Sequence, residues 1–195
     1  MVKITPADLD VLFHKARTFI RWQDKPIPTD VLKSVYDAAK MAPTAANCQP
    51  MRVVFVVSKE AKEKLKPCLA SGNVDKTMTA SATAIIAGDS LFYENLPKLY
   101  PFGNAKSWYE GNEALINETM MRNTALQGAY FIIAARAFGL DCGPMSGFDN
   151  KKLDETFFPD GRYKSNFLCN LGYGNRDALP IRAPRLSFEE ACKIE

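Results

Sequence analysis

Apolar residues Leu9, Leu12, Phe13 and Ala16 recur at helical spacing behind Thr5-Pro6, a hydroxyl N-cap with proline at the first helical position. These four share one face. The pattern breaks between Arg17 and Pro28. It resumes at Thr29, where Leu32, Val35, Tyr36 and Ala39 mark a second helix that stops before Pro43. MRVVFVV (51–57) is a strand-length apolar run, too apolar for an edge and suited to a buried strand. Ser58 caps a third helix, and ATAIIA (82–87) reads as a second buried strand. The longest signal runs from about Asn112 to Phe138, closed by Gly139 as a C-terminal cap. At 1.5 Å per residue such a helix spans roughly 40 Å. Its second half, ALQGAYFIIAARAF, is apolar nearly all round, so both sides need cover and a partner subunit is expected. A short GPMSG loop, a helix from Asp149, a strand at SNFLCNLGYG (165–174) and a tail carrying Pro and Arg follow. Alternating helices and strands predict an α/β or α+β sheet covered by helices.

Composition narrows the picture. A chain of 195 residues with 47% hydrophobic and 24% charged residues fits one globular domain with a real core. The net charge is only +3, and the one dense run, KEAKEKLK (59–66), alternates in sign as a solvated helix face does. Nucleic acid is not an expected partner. No membrane-length apolar run and no apolar leader region are present, and the five cysteines are odd in number with no CxxC pair. Reduced thiols in a cytoplasmic protein are the expected setting. With one histidine, His14, and no paired cysteines, a His/Cys zinc site is not expected.

Nucleophile and nucleotide motifs fail. In GPMSG the first glycine precedes Ser146 by three residues, not by the two of a GxSxG elbow. Cys48 has no second histidine to serve as its base, and Cys142 reads as small packing beside Gly143. GYG (172–174) lacks the third glycine of a dinucleotide fingerprint and follows the last strand.

What remains are residues suited to a cofactor that carries its own chemistry. Arg17, Thr18 and Arg21 follow the first helix, Asn73 and Lys76 lie in SGNVDK, and Arg182 and Arg185 are near the end. Guanidinium forks and hydroxyl or amide donors suit a monophosphate. A Gly-Pro-x-Ser-Gly loop can offer backbone N–H groups without bulk. APTAANCQP (42–50) holds no charge, only small or amide side chains between prolines, and shows no polar role inside its own subunit.

These stretches resemble the nitroreductase family of FMN-dependent oxidoreductases over roughly residues 8 to 193. The carrying motifs are ARTFIRW (16–22), KMAPTAANCQP (40–50), SGNVDKTMTAS (71–81), GLDCGPMSGFD (139–149), NLGYG (170–174) and APRLSFEEA (183–191). SGNVDKTMTA, FYENLP and PRLSFEEA are similar to a compact branch that contains malonic semialdehyde reductases, which form 3-hydroxypropanoate. The resemblance implies one α+β domain with a central, mostly antiparallel sheet, in an intertwined homodimer. The C-terminal arm, about 175–195, would reach the partner. It implies FMN as cofactor, NADH or NADPH as reductant, and ping-pong hydride transfer to an aldehyde, quinone or nitro compound. A general nitro/quinone or flavin reductase and a flavin-binding module without turnover are the alternatives.

By the same resemblance, Arg17, Thr18 and Arg21 hold ribityl and phosphate groups, and Asn73 and Lys76 face the pyrimidine edge. Pro144, Met145, Ser146 and Gly147 pass near N5, and Arg185, with Arg182 as second candidate, closes on the phosphate. Pro43, Thr44, Ala45, Asn47 and Gln49 come from the partner subunit, with the two amides as donors. No side chain need act as acid or base, and no metal is implied. Ala16 and Ile20 stand where many relatives carry basic residues, so Arg17 and Arg21 are expected to compensate. Ser146 replaces a frequent acidic residue, leaving its backbone N–H. The aromatic stretch from Phe92 to Trp108, with Tyr93 and Phe102, is expected to cover the substrate.

Overall fold

The computed structural model describes residues 3–195. Among the described residues the eight α-helices and four strands are α1 (Pro6–Leu9), α2 (Thr29–Ala39), β1 (Met51–Val56), α3 (Lys59–Leu65), α4 (Val74–Met78), β2 (Ala82–Asp89), α5 (Leu96–Leu99), α6 (Glu113–Ala137), β3 (Asp141–Met145), α7 (Asn150–Phe157), β4 (Tyr163–Gly172) and α8 (Phe188–Ala191). The strands form one antiparallel sheet in the order β1-β2-β4-β3. The α+β reading with an antiparallel sheet therefore holds.

β1 stands at an edge, not inside the sheet. It is nonetheless apolar because both its faces are covered. Val53 and Phe55 pack into the core that includes Leu32, Val35 and Phe131, while Val54 joins the opposite core around Leu65, Leu153 and Leu168. The GPM portion of the expected loop is strand β3, paired with β4 from Asp141↔Gly172 to Met145↔Leu168. Its glycine and proline hide a strand that only pairing reveals.

Thr5 and Asp8 form a reciprocal capping box at α1. The helix then widens into a π turn over Asp10–His14, where the Lys15 N–H reaches the Asp10 carbonyl at 2.8 Å. That turn shifts the face, so Leu9, Leu12, Phe13 and Ala16 do not form a buried stripe; Phe13 is 47% exposed.

On α6 the outcome reverses the apolar expectation. Asn112 caps it, donated to by the Leu115 N–H at 3.1 Å, and Gly139 follows it with φ +78°. The buried face includes Thr119, Asn123, Thr124 and Gln127, whereas Met121, Leu126, Tyr130 and Phe138 are each close to half exposed. Among the described residues no helix is long and apolar enough to cross a membrane. Every residue from 180 to 195 is exposed, including Ile181, Leu186, Phe188 and Ile194.

Candidate functional site

The free edge of β3 positions the first group of residues. Thr18 bridges Cys142 in parallel, and the Phe19 N–H donates to the Cys142 carbonyl at 2.9 Å. Residues 17–21 therefore run alongside Gly143 and Pro144. Only glycine fits at 143, since a Cβ there would stand 2.6 Å from the Phe19 carbonyl oxygen. Trp22 bridges Gly174, and the Asn175 N–H donates to the Arg21 carbonyl at 2.9 Å.

SGNVDK joins the same edge from the other side. The Gly147 carbonyl accepts from the Ala70 N–H at 3.1 Å and from Asn73 Nδ2 at 2.6 Å. One turn on, Lys76 and Arg21 line a cleft of about 350 Å³ together with Ile20, Gly72, Asp75 and Thr79. The tail closes the other end of the ARTFIRW segment. Arg17 donates to the Pro180 carbonyl, and Arg182 Nη2 to the Ala16 carbonyl at 2.7 Å. Arg185 instead turns onto the carbonyls of Ala183 and Pro184, at 2.9 and 3.0 Å.

Among the described residues the cations Arg17, Arg21 and Lys76 of this edge and Arg182 and Arg185 of the tail lack carboxylate partners, whereas Arg52 and Arg162 both hold the buried Asp89, at 2.7 and 2.8 Å. A second cleft of about 420 Å³ has Arg17, Lys15, Arg136 and Arg176 on its walls, with Asp10 and Asp141. Cations left without carboxylate partners, beside backbone and amide donors, fit a phosphorylated planar cofactor.

Pro43, Thr44, Ala45, Asn47 and Gln49 lie apart from this group. Among the described residues no hydrogen bond links them to Arg17, Arg21, Asn73, Lys76 or residues 144–147. Ala46, Asn47 and Gln49 all have positive φ, at 47°, 51° and 41°. Such backbone persists only where the surroundings over-determine it. Here Asn123 Oδ1 accepts from the Ala45 N–H at 2.8 Å, and Gln127 Oε1 from the Met51 N–H at 2.9 Å. The buried polar face of α6 is thus a clamp on this loop. The loop also has polar work inside its own subunit, contrary to the expectation: Asn47 Nδ2 donates to the Leu99 carbonyl at 2.9 Å, and Gln49 Nε2 to Asn47 Oδ1 at 2.7 Å. Cys48 beneath it packs in a small core with Phe92, Leu96, Ala105, Tyr109 and Met120. The loop and the aromatic segment therefore form one unit. Phe92 is fully buried in it and unavailable to a substrate, whereas Phe102 and Trp108 are exposed.

Neither Cys48 nor His14 is equipped for catalysis. Burial pushes the Cys48 thiol up to about 11. His14 sits on the exposed N-terminal turn, 3.3 Å from Asp10. Sequence reasoning passed over the supporting residues Trp22, Asn123, Gln127 and Asn170. Polar side chains at i, i+4 inside an otherwise apolar helix, and an asparagine in the middle of FLCNLG, were the available signals.

Comparison with known proteins identifies the family and the fold. The model of the Nitroreductase family matches residues 15–173. A protein of Ralstonia nicotianae (strain ATCC BAA-1114 / GMI1000), provisionally named NADH dehydrogenase/NAD(P)H nitroreductase, is 53% identical over 194 residues, with 100% of both chains covered. One of the same provisional name from Polynucleobacter asymbioticus is 55% identical over 186 residues, 95% of each. The fold recurs in a provisionally named nitroreductase from Bacillus subtilis, with a TM-score of 0.88, 23% identity, and 98% and 100% of the two chains covered. It recurs also in one from Exiguobacterium sibiricum 255-15, solved in complex with FMN, with a TM-score of 0.86, 20% identity and full coverage of both. This chain belongs to the nitroreductase family, and it is an oxidoreductase.

Proposed function

We propose that the protein is a homodimeric, FMN-dependent NAD(P)H oxidoreductase that reduces small acceptors, malonic semialdehyde to 3-hydroxypropanoate among them. The observation that carries this is the set of cations without carboxylate partners along the β3 edge: Arg17, Arg21, Lys76 and Arg182. FMN, when bound, supplies hydride exchange with NAD(P)H in one half-reaction and with the acceptor in the other, both partners using one place in turn.

The chain's own groups bind and orient. Arg17, Thr18 and Arg21 hold the ribityl phosphate, and Arg182 and Arg185 close on it from the tail. Asn73 and Lys76 meet the pyrimidine edge, where Lys76 places positive charge. Pro144, Met145, Ser146 and Gly147 lie beside N5, the last three with backbone N–H groups to offer. Pro43 to Gln49 cover the ring from the partner subunit, the tail from about 175 serving as the arm that reaches across. Three observations support that exchange: the loop has no hydrogen bond to its own subunit's edge, α6 exposes Leu126 and Tyr130, and residues 180–195 are exposed. Since the loop and the aromatic segment are one unit, Tyr93, Phe102 and Trp108 travel with it. Lys98 lies beside Gln49 in a cleft of about 160 Å³ and suits an acceptor with a carboxylate. The names of the Ralstonia and Polynucleobacter relatives favour a second reading, a general nitro/quinone or flavin reductase.

Purified protein should be yellow and bleached by NADH or NADPH. Turnover of malonic semialdehyde, quinones and nitroaromatics should then be compared with both nicotinamides. A kcat/KM for malonic semialdehyde well above the others supports the aldehyde reading, and the reverse order supports the general reductase. Yellow protein that neither nicotinamide bleaches would reduce the chain to a flavin-binding module.

A further inference from the structure

Lys76 sits on α4, a helix of five residues, too short to hold itself in water. Its backbone carbonyl accepts two side-chain hydrogen bonds, from Trp22 Nε1 at 2.8 Å and from Asn170 Nδ2 at 3.1 Å. The Asn170 side chain is fully buried in β4. A carbonyl can only accept, so the Asn170 NH2 must face α4 and its oxygen must face away. That oxygen takes the Thr83 hydroxyl at 2.7 Å, while Nδ2 also lies 3.2 Å from Thr77 Oγ1. Thr83 and Thr77 are fully buried as well. Trp22 is held by shape. Its ring lies over two glycines, and a Cβ on Gly172 or Gly143 would come within 2.9 or 3.2 Å of it.

Arg21 and Lys76, which face one cleft, are thereby coupled: the residue after Arg21 is hydrogen-bonded to the backbone of Lys76. We propose that Trp22 and Asn170 are positioning residues for Lys76, and that through its ammonium they set how strongly the site prefers reduced over oxidised FMN. The inference rests on the flavin reading above. In reduction NAD(P)H gives up a hydride and becomes NAD(P)⁺, while the ring gains two electrons and one proton and carries a negative charge. A cation held at a fixed place beside that charge favours the reduced form; one on a loosened helix does so less. Neither Trp22 nor Asn170 touches the ring, so each acts only through α4.

The test is a double-mutant cycle read in the reduction potential of the bound flavin, measured on holoprotein by equilibration with a redox dye. Trp22→Phe removes the N–H and keeps a ring over the glycines. It should shift the ratio of reduced to oxidised binding about two- to tenfold toward oxidised FMN, the range one hydrogen bond commands. In a Lys76→Met background the same change should leave the ratio where Lys76→Met alone puts it. Asn170→Leu, if it folds, should behave likewise. An equal Trp22→Phe shift in both backgrounds, or a lowered melting temperature with no shift in potential, would overturn the inference and leave Trp22 a packing residue. Wild-type protein that takes up no FMN is a different result: it removes the flavin reading, and this inference with it.

Discussion

Asn73 Nδ2 and the Gly147 carbonyl form a 2.6 Å hydrogen bond that ties the start of α4 to the end of β3. The approach is so close that a Cβ at position 147 would stand 2.4 Å from the same nitrogen. Gly147→Ala must therefore push the Asn73 amide aside. Losing that bond should lower stability by about 0.5–1.5 kcal/mol and weaken FMN binding by a similar amount. Thermal melts of the apoprotein and an FMN titration measure the two effects. If affinity is unchanged while the melt drops, Asn73 is a structural brace and not a flavin contact.

The tail arginines separate by geometry, since Arg182 is docked on Ala16 and Arg185 on its own backbone. Each should cost FMN binding roughly 1.5–3 kcal/mol when changed to Ala, if each makes a charge-assisted phosphate contact. That is about one to two decades in affinity. Titration of FMN into both apo variants tests them separately, and the variant that binds normally identifies an arginine outside the site.

Gln127→Leu keeps bulk in the core but leaves the buried Met51 N–H without an acceptor. Stability should fall by about 1–3 kcal/mol, the cost of an unsatisfied buried donor. Urea unfolding would register a lower midpoint. The loop around Ala46, Asn47 and Gln49, whose positive φ this clamp and Asn123 hold, should become more susceptible to proteolysis as well.

If the exposed side of α6 is an interface between copies, Leu126→Glu should dissociate the dimer and release flavin together. The interface expected for an intertwined pair is on the order of 2,000 Å² or more. FMN should in turn raise the melting temperature through linkage. Mass measurements and flavin fluorescence on dilution check both. A stable monomer that keeps its FMN would defeat the assignment of residues 43–49 to the partner's site.

Cys48 should be inert in the native protein. With its thiol pushed up to about 11, roughly one molecule in a thousand carries the thiolate at pH 8, and that sulfur is buried. Raising the pH toward 11 increases the reactive fraction, about tenfold per unit. Iodoacetamide should label Cys48 at pH 8 only after denaturation, as peptide mass mapping would reveal. Fast native labelling would show an open route into the core beneath the loop.

Several elements were legible from local patterns alone. The bounds of α6 follow from an Asn112 cap and a glycine at positive φ, both set by the chemistry of helix ends. The buried run of β2 and the Ser58 cap on α3 were equally readable, because one residue and its near neighbours decide them. The family motifs named the β3-edge residues, and the fold brings Arg17, Thr18, Arg21, Asn73, Lys76, residues 144–147 and Arg182 to that margin.

What tertiary structure alone decided concerns contact between distant parts. β1 is apolar yet peripheral, since hydrophobicity records cover on two faces and says nothing about hydrogen-bonding neighbours along the edge. GPM is a strand because β4 pairs with it, although glycine and proline locally favour a turn. On α6 the polar residues went inward and several apolar ones outward, since Asn123 and Gln127 each found a backbone N–H 76 or more positions away in the chain. The Trp22 and Asn170 hydrogen bonds to the Lys76 carbonyl arise in the same way, over separations of 54 and 94 residues. Periodicity tells which positions escape water; the satisfaction of a buried polar group depends on whatever partner the fold carries to it.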